Sequence, residues 1–144
     1  MTALTVPASS PTAELVKNLL DAAHQAASSM NAAVCIAVVD SGGNLAGFLR
    51  IPGAFFVSID LAIDKAWTAV GIKMSTRTMS EVLRTMPDAA RDGILRRPRL
   101  TEVPGGFPLM IGDQIIGAVG VSGGSVEEDE AIAVAAMSAL ESAK

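Results

Sequence analysis

The side chains that could do chemistry in this chain stand beside glycine-rich turns. Asp40 opens the turn Asp40-Ser41-Gly42-Gly43-Asn44, Arg50 precedes Ile51-Pro52-Gly53, and Lys65 and Thr68 interrupt a largely apolar segment. Glu102 comes just before Pro104-Gly105-Gly106, a turn whose free N–H groups can bind an oxyanion. Arg50 and Lys65 together suit a carboxylate, and Glu102 can act as a proton acceptor. Phe107 and Ser122 complete the candidate ligand-binding set with Asp40, Arg50, Thr68, Gly105 and Gly106, while Glu102 and Lys65 are the candidate catalytic pair. Against this stands the plainer reading of each charged residue as one half of a surface ion pair.

Other chemistries fit the residues less well. Gly120-Val121-Ser122-Gly123-Gly124 matches G-x-S-x-G at a strand-to-helix corner. A nucleophilic serine needs a base, however, and the only histidine is His24, far upstream on an outward helix face. A phosphate at that corner would meet Glu127, Glu128 and Asp129, which already complement the helix dipole. One histidine and one cysteine cannot close a zinc site, and Glu127 to Glu130 lacks calcium-loop spacing, so no metal site is expected. Haem iron takes only one or two axial ligands, which leaves His24, Cys35 or a methionine as candidates. Most of the seven methionines are simpler as core filler.

Length and composition bound the rest. The 144 residues suit one domain, half of them hydrophobic but only 3% aromatic, so the core is aliphatic. A net charge of −4 argues against a nucleic-acid partner. The basic cluster Arg91, Arg96, Arg97, Arg99 reads as a solvated loop or subunit contact. Cys35, the single cysteine, lies in an apolar run and is expected to be a buried, inert thiol of a reducing compartment. The first residues lack the pattern of a secretory leader, and no apolar run approaches the ~20 residues that span a bilayer. The expected setting is therefore cytoplasmic, with no membrane partner.

Residues 1–10 read as a flexible arm and 11–144 as a single domain. The spacing predicts a helix from Pro11 or Thr12 to about Met30, with Leu15, Leu19, Ala22, Ala23, Ala26 and Met30 inward. His24 lies roughly 130° from that stripe. Val34 to Val39 predicts a strand buried on both faces, returning as Leu45 to Arg50 through the Asp40–Asn44 turn. A second helix is expected from about Ala54 to Gly71, burying Phe55, Ile59, Ile63, Ala66 and Val70. Its far side carries Val57, Leu61, Asp64, Lys65 and Thr68, and a helix apolar on two sides predicts a subunit contact or a pocket. Thr78-x-x-Glu81 can cap a short helix to about Met86, and Pro87-Asp88 can start another turn. Phe107–Ile111 and Ile115–Val121 form a second hairpin, and Ser125 with Glu128 caps a final helix, Val126 to Ser142. Two hairpins cannot build a parallel sheet, so the class is α+β: a mainly antiparallel sheet flanked by helices.

The pieces VVDSGGNLAGFLR, AIDKAWTA and PGGFPLMIGDQIIGAVGVSGGSVEEDEAIA occur in this order between about residues 11 and 142. They resemble the GlcG/HbpS family, which includes the C-terminal domain of PduO-type proteins. The resemblance implies a profilin-like α/β/α sandwich, homo-oligomers of four or eight subunits, and association with haem or corrinoids and with catabolic gene clusters. Asp40, Gly43, Arg50, Lys65, Ala66, Thr68, Pro104, Gly105, Gly106, Gly117, Gly120, Ser122, Gly123 and Asp129 stand where the family motif has them. Asn44 occupies a place where relatives often carry histidine, and Trp67 is bulky for its position.

Two functions follow as expectations. The first is an oligomeric protein that binds a small anionic molecule or a tetrapyrrole such as haem near Arg50, Lys65 and Gly105-Gly106, with His24 as the candidate iron ligand. The second is a cofactor-independent isomerase, hydratase or lyase acting on a small carboxylate or cyclic ketone. There Glu102 is the base, Arg50 and Lys65 hold the anion, and the Gly105 and Gly106 N–H groups face a developing enolate.

Overall fold

A computed structural model describes residues 2–144. Among these, nine elements follow in order: α1 (Ala13–Ser29), β1 (Cys35–Asp40), β2 (Leu45–Arg50), α2 (Ser58–Ile72), α3 (Thr76–Arg84), α4 (Asp88–Leu95), β3 (Gly106–Ile111), β4 (Gln114–Ser122) and α5 (Val126–Ser142). Residues 2–12 form no helix or strand, and Thr12 caps α1 by accepting the Leu15 N–H.

The four strands make one antiparallel sheet in the order β2-β1-β4-β3. Successive residues of a strand face opposite sides, and here the two sides are built differently. Val34, Ile36, Val38, Val119 and Val121 point to one side and meet Val16, Leu19, Ala23 and Ala27 of α1 and Ile132, Ala133, Ala136 and Leu140 of α5. Cys35, Ala37, Val39 and Ala118 point to the other and meet Ala62, Ala66 and Ala69 of α2. The result is a three-layer α/β/α arrangement.

Small side chains let α2 lie almost directly on the sheet. A Cβ on Gly120 would collide with the Ala62 carbonyl oxygen and the Ala66 nitrogen, and one on Gly106 with the Lys65 carbonyl. Glycine is required there by close backbone approach, one of the recurrent reasons for glycine inside a strand.

This packing turns α2 away from its expected orientation. The helix begins at Ser58 rather than near Ala54, and its buried face is Ser58, Ala62, Lys65, Ala66, Thr68, Ala69 and Val70. The observed face is rotated by roughly 80° from the bulky stripe, at 100° per residue. Ile59 and Ile63 are half-buried, and Phe55 is exposed on the loop before the helix. Lys65 and Thr68 thus face the sheet and not a partner. In α1 the stripe shifts as well, in the opposite sense: Val16 and Ala27 are buried, while Met30 is exposed beyond the helix end. Ser75, not Thr78, caps α3, accepting the Thr78 N–H. The Ser125–Glu128 capping box and the α5 boundaries agree with the sequence reading.

Candidate functional site

Most of the polar set converges on one end of the sheet, but the side chains there satisfy one another. Lys65 projects from α2 past Gly105, where a Cβ would come within 3.0 Å of its Nζ. Its ammonium donates to the Val121 carbonyl at 2.7 Å and to Asp129 Oδ2 at 3.1 Å. Both partners are sealed: the two side chains are 1% and 6% exposed. Asp129 also accepts the Gly124 N–H through Oδ1 at 2.9 Å. Burial lowers the Lys65 pKa, and the Asp129 carboxylate opposes that shift. The pair ties α2, β4 and α5 together around the sheet end, leaving no free donor aimed at solvent.

The remaining members have equally specific duties. The Gly106 N–H donates to Thr76 Oγ1 at 3.1 Å, so it is engaged within the protein and not held open for an oxyanion. Gly105 adopts φ +127° and its carbonyl accepts the Val121 N–H. Ser122 is buried at the end of β4, opposite Cys35 in register. Phe107 points to the other face and packs half-buried against the α1/α5 core. Thr68 donates to the Arg99 carbonyl at 3.2 Å and accepts the Thr101 N–H at 3.0 Å, pinning the segment before β3 to α2. Arg99 in turn lies over the Trp67 ring, 4.7 Å from its centroid, and pairs with Asp64.

Arg50, Asp40 and Glu102 have partners other than Lys65. Arg50 uses Nε and Nη2 on the Ala54 carbonyl, clamping the loop between β2 and α2. Burial pushes the neighbouring Cys35 thiol up against the opposing charge of Arg50, which fits an inert thiol. Asp40 accepts the N–H groups of Gly42 and Asn44 and closes its turn. Burial raises its pKa, but the Asn44 and Gly42 hydrogen bonds outweigh that and set it below the ordinary value. Glu102 pairs with Arg91 of α4 at 2.6 Å through Oε1, and its buried Oε2 has no hydrogen-bond partner. Glu102 and Lys65 share no hydrogen bond among the described residues, and neither does Arg50 with either of them. Lys65 is thus spent on the Val121 carbonyl and Asp129, whereas exposed Arg50 engages only Nε and Nη2 and keeps its Nη1 donors.

What stays available is on α1. His24 is exposed, as its angle from the buried stripe predicts, and Lys17, also exposed, lies two turns upstream on the same line with half-buried Leu20 between. Asp21, Gln25 and Ser28 around them are exposed and polar. A second exposed group, Phe55, Phe56 and Val57, sits on the loop into α2 at 69%, 73% and 67% exposure. Among the described residues no cluster of three or more His, Cys, Asp or Glu could hold a metal ion, and no helix is long and apolar enough to cross a membrane.

Sequence reasoning passed over Asp129, Thr76 and Arg91 as functional partners. Asp129 was visible as part of the acidic start of α5 and as a position of the family motif, but not as the partner of Lys65, 64 residues away.

An antiparallel four-stranded sheet between a helix pair and a single glycine-seated helix defines a small three-layer α/β/α domain. Comparison with known proteins places it further. The profile of the family described as "Haem degrading protein HbpS-like" matches residues 12–138. The corrinoid adenosyltransferase PduO of Salmonella typhimurium is 37% identical over 124 residues, which are 85% of this chain and 36% of that protein. Klebsiella pneumoniae protein ORFY superposes with a TM-score of 0.90 at 30% identity, covering 98% of this chain and 97% of that one. A PduOC:haem complex superposes at 0.83 with 33% identity, covering 90% and 94%. The chain belongs to the HbpS-like family.

Proposed function

We propose that this protein is an oligomeric binder of haem or a related anionic tetrapyrrole, held on the exposed stripe of α1. The observation that carries this reading is the likeness, at 33% identity over nine-tenths of the chain, to a domain whose structure is a haem complex. Haem needs an iron ligand, a partner for its carboxylates and an apolar cover. His24 supplies an accessible imidazole, the commonest protein ligand to haem iron in small binding sites. Lys17 lies roughly 10 Å along the helix at 1.5 Å per residue, within side-chain reach of a propionate. The flanking Asp21, Gln25 and Ser28 offer no apolar wall. The cover therefore comes from a second copy, and the site forms between subunits.

Lys65 does not serve as an anion anchor in this reading, because its buried ammonium is bonded to the Val121 carbonyl and Asp129, and Arg50 stands on β2, outside the α1 stripe. The proton-transfer alternative loses Lys65 as an anchor through the same two bonds.

A Soret titration tests the proposal. The wild-type protein should saturate at no more than one haem per chain, with a shifted band, and His24→Ala should lose that band. Absence of saturation in the wild type, or an identical spectrum in the variant, would contradict it.

A further inference from the structure

A second, separate feature lies where α3 and α4 meet the end of α2. Ile72, Met74, Met79, Leu83, Met86 and Ile94 enclose a groove of about 140 Å³ that presents no polar surface, with Val82 at its open side. Of its three methionines, only one is fully buried core filler. Met79 is buried, but Met74 and Met86 are half-buried on the groove wall.

We propose that this groove is a binding site for one small uncharged aromatic ring. Size is the first argument: an enclosed cavity of about 150 Å³ lined by Leu, Ile and Phe takes up benzene, and this groove, though open on one side, has nearly that volume. Chemistry is the second. A charged group would shed its hydration and find no partner on an all-apolar wall, so carboxylates and phosphates are excluded. Thioethers pack favourably against aromatic rings and adapt their shape to what they hold, and three of them line one small space. The third argument is the cover. No residue of α4 is fully buried, and its one side-chain hydrogen bond to another element, among the described residues, is Arg91 to Glu102. Ile94 closes the groove from a helix that little else restrains, so a ring can enter without disturbing the sheet. None of these residues belongs to the α1 stripe, and the site stands independently of the haem reading.

The test uses the full chain labelled with ¹³C at the methionine methyls and titrated with toluene. Saturable shifts at Met74, Met79 and Met86, with Met30, Met110 and Met137 unmoved, are expected. Met86→Trp should fill the groove and abolish the shifts at Met74 and Met79 while the distant methyls keep their positions. Benzoate, the same ring carrying a charge, should bind at least about tenfold more weakly. Shifts that are non-saturable or uniform over all methyls would overturn the proposal, as would equal binding of benzoate. Groove-methyl shifts that follow protein concentration without toluene would overturn it too, by assigning the groove to a second copy.

Discussion

Lys65 is a residue whose type suggests one role while its surroundings impose another. A lone lysine in an apolar segment reads as an anion anchor or a tuned base, yet here its ammonium is enclosed by Val121 O and Asp129. Removing one member of a buried pair leaves the other charge uncompensated, at a cost of about 3–5 kcal/mol. Lys65→Met is therefore expected to lower the unfolding free energy by roughly that amount in urea titrations. Lys65→Met combined with Asp129→Leu should recover most of it, short of about 1 kcal/mol for the lost Gly124 hydrogen bond. A single variant as stable as the wild type would mean that the pair does not hold the sheet end. The sequence shows that Lys65 is unusual; its partner was hidden because no spacing rule links positions so far apart.

At the level of elements, local signals were legible and packing signals were not. Strand runs, the Asp40–Asn44 turn, the two hairpins and the Ser125–Glu128 box depend on neighbouring residues, and each lies where the sequence places it. The orientation of α2 depends on Gly106 and Gly120, which arrive some 40 or more residues later and admit the helix backbone only on its small-residue side. Hydrophobic periodicity selected Phe55, Ile59 and Ile63, the bulky side chains that such close approach excludes. Gly120→Ala should cost about 1–3 kcal/mol, the usual range for overpacking, with an intact far-ultraviolet spectrum. An unchanged urea midpoint would show that α2 can lift from the sheet freely.

For the whole molecule, the two-faced α2 carries the sequence expectation of assembly, but Lys65 and Thr68 of its second face prove to be core, with Leu61 and Asp64 half-buried. Assembly now rests on other features: Phe55, Phe56 and Val57 stand exposed together, and a haem on α1 lacks an apolar cover within one chain. Light scattering is expected to give a multiple of 14.7 kDa, four or eight subunits, rather than the monomer mass. The candidate site was legible in part. His24 could be placed on an outward face from helical geometry alone, whereas the engagement of Arg50, Lys65 and Gly106 with other groups required the fold.

The measurement that tests the account most directly compares the haem affinity of His24→Ala with that of Arg50→Ala. Loss of an iron ligand should weaken binding at least about tenfold, equivalent to ~1.4 kcal/mol, whereas Arg50→Ala should stay within about twofold of the wild type, since Arg50 stands on β2, outside the α1 stripe. Weak binding in Arg50→Ala alongside wild-type affinity in His24→Ala would contradict the account and move the ligand to the loop before α2.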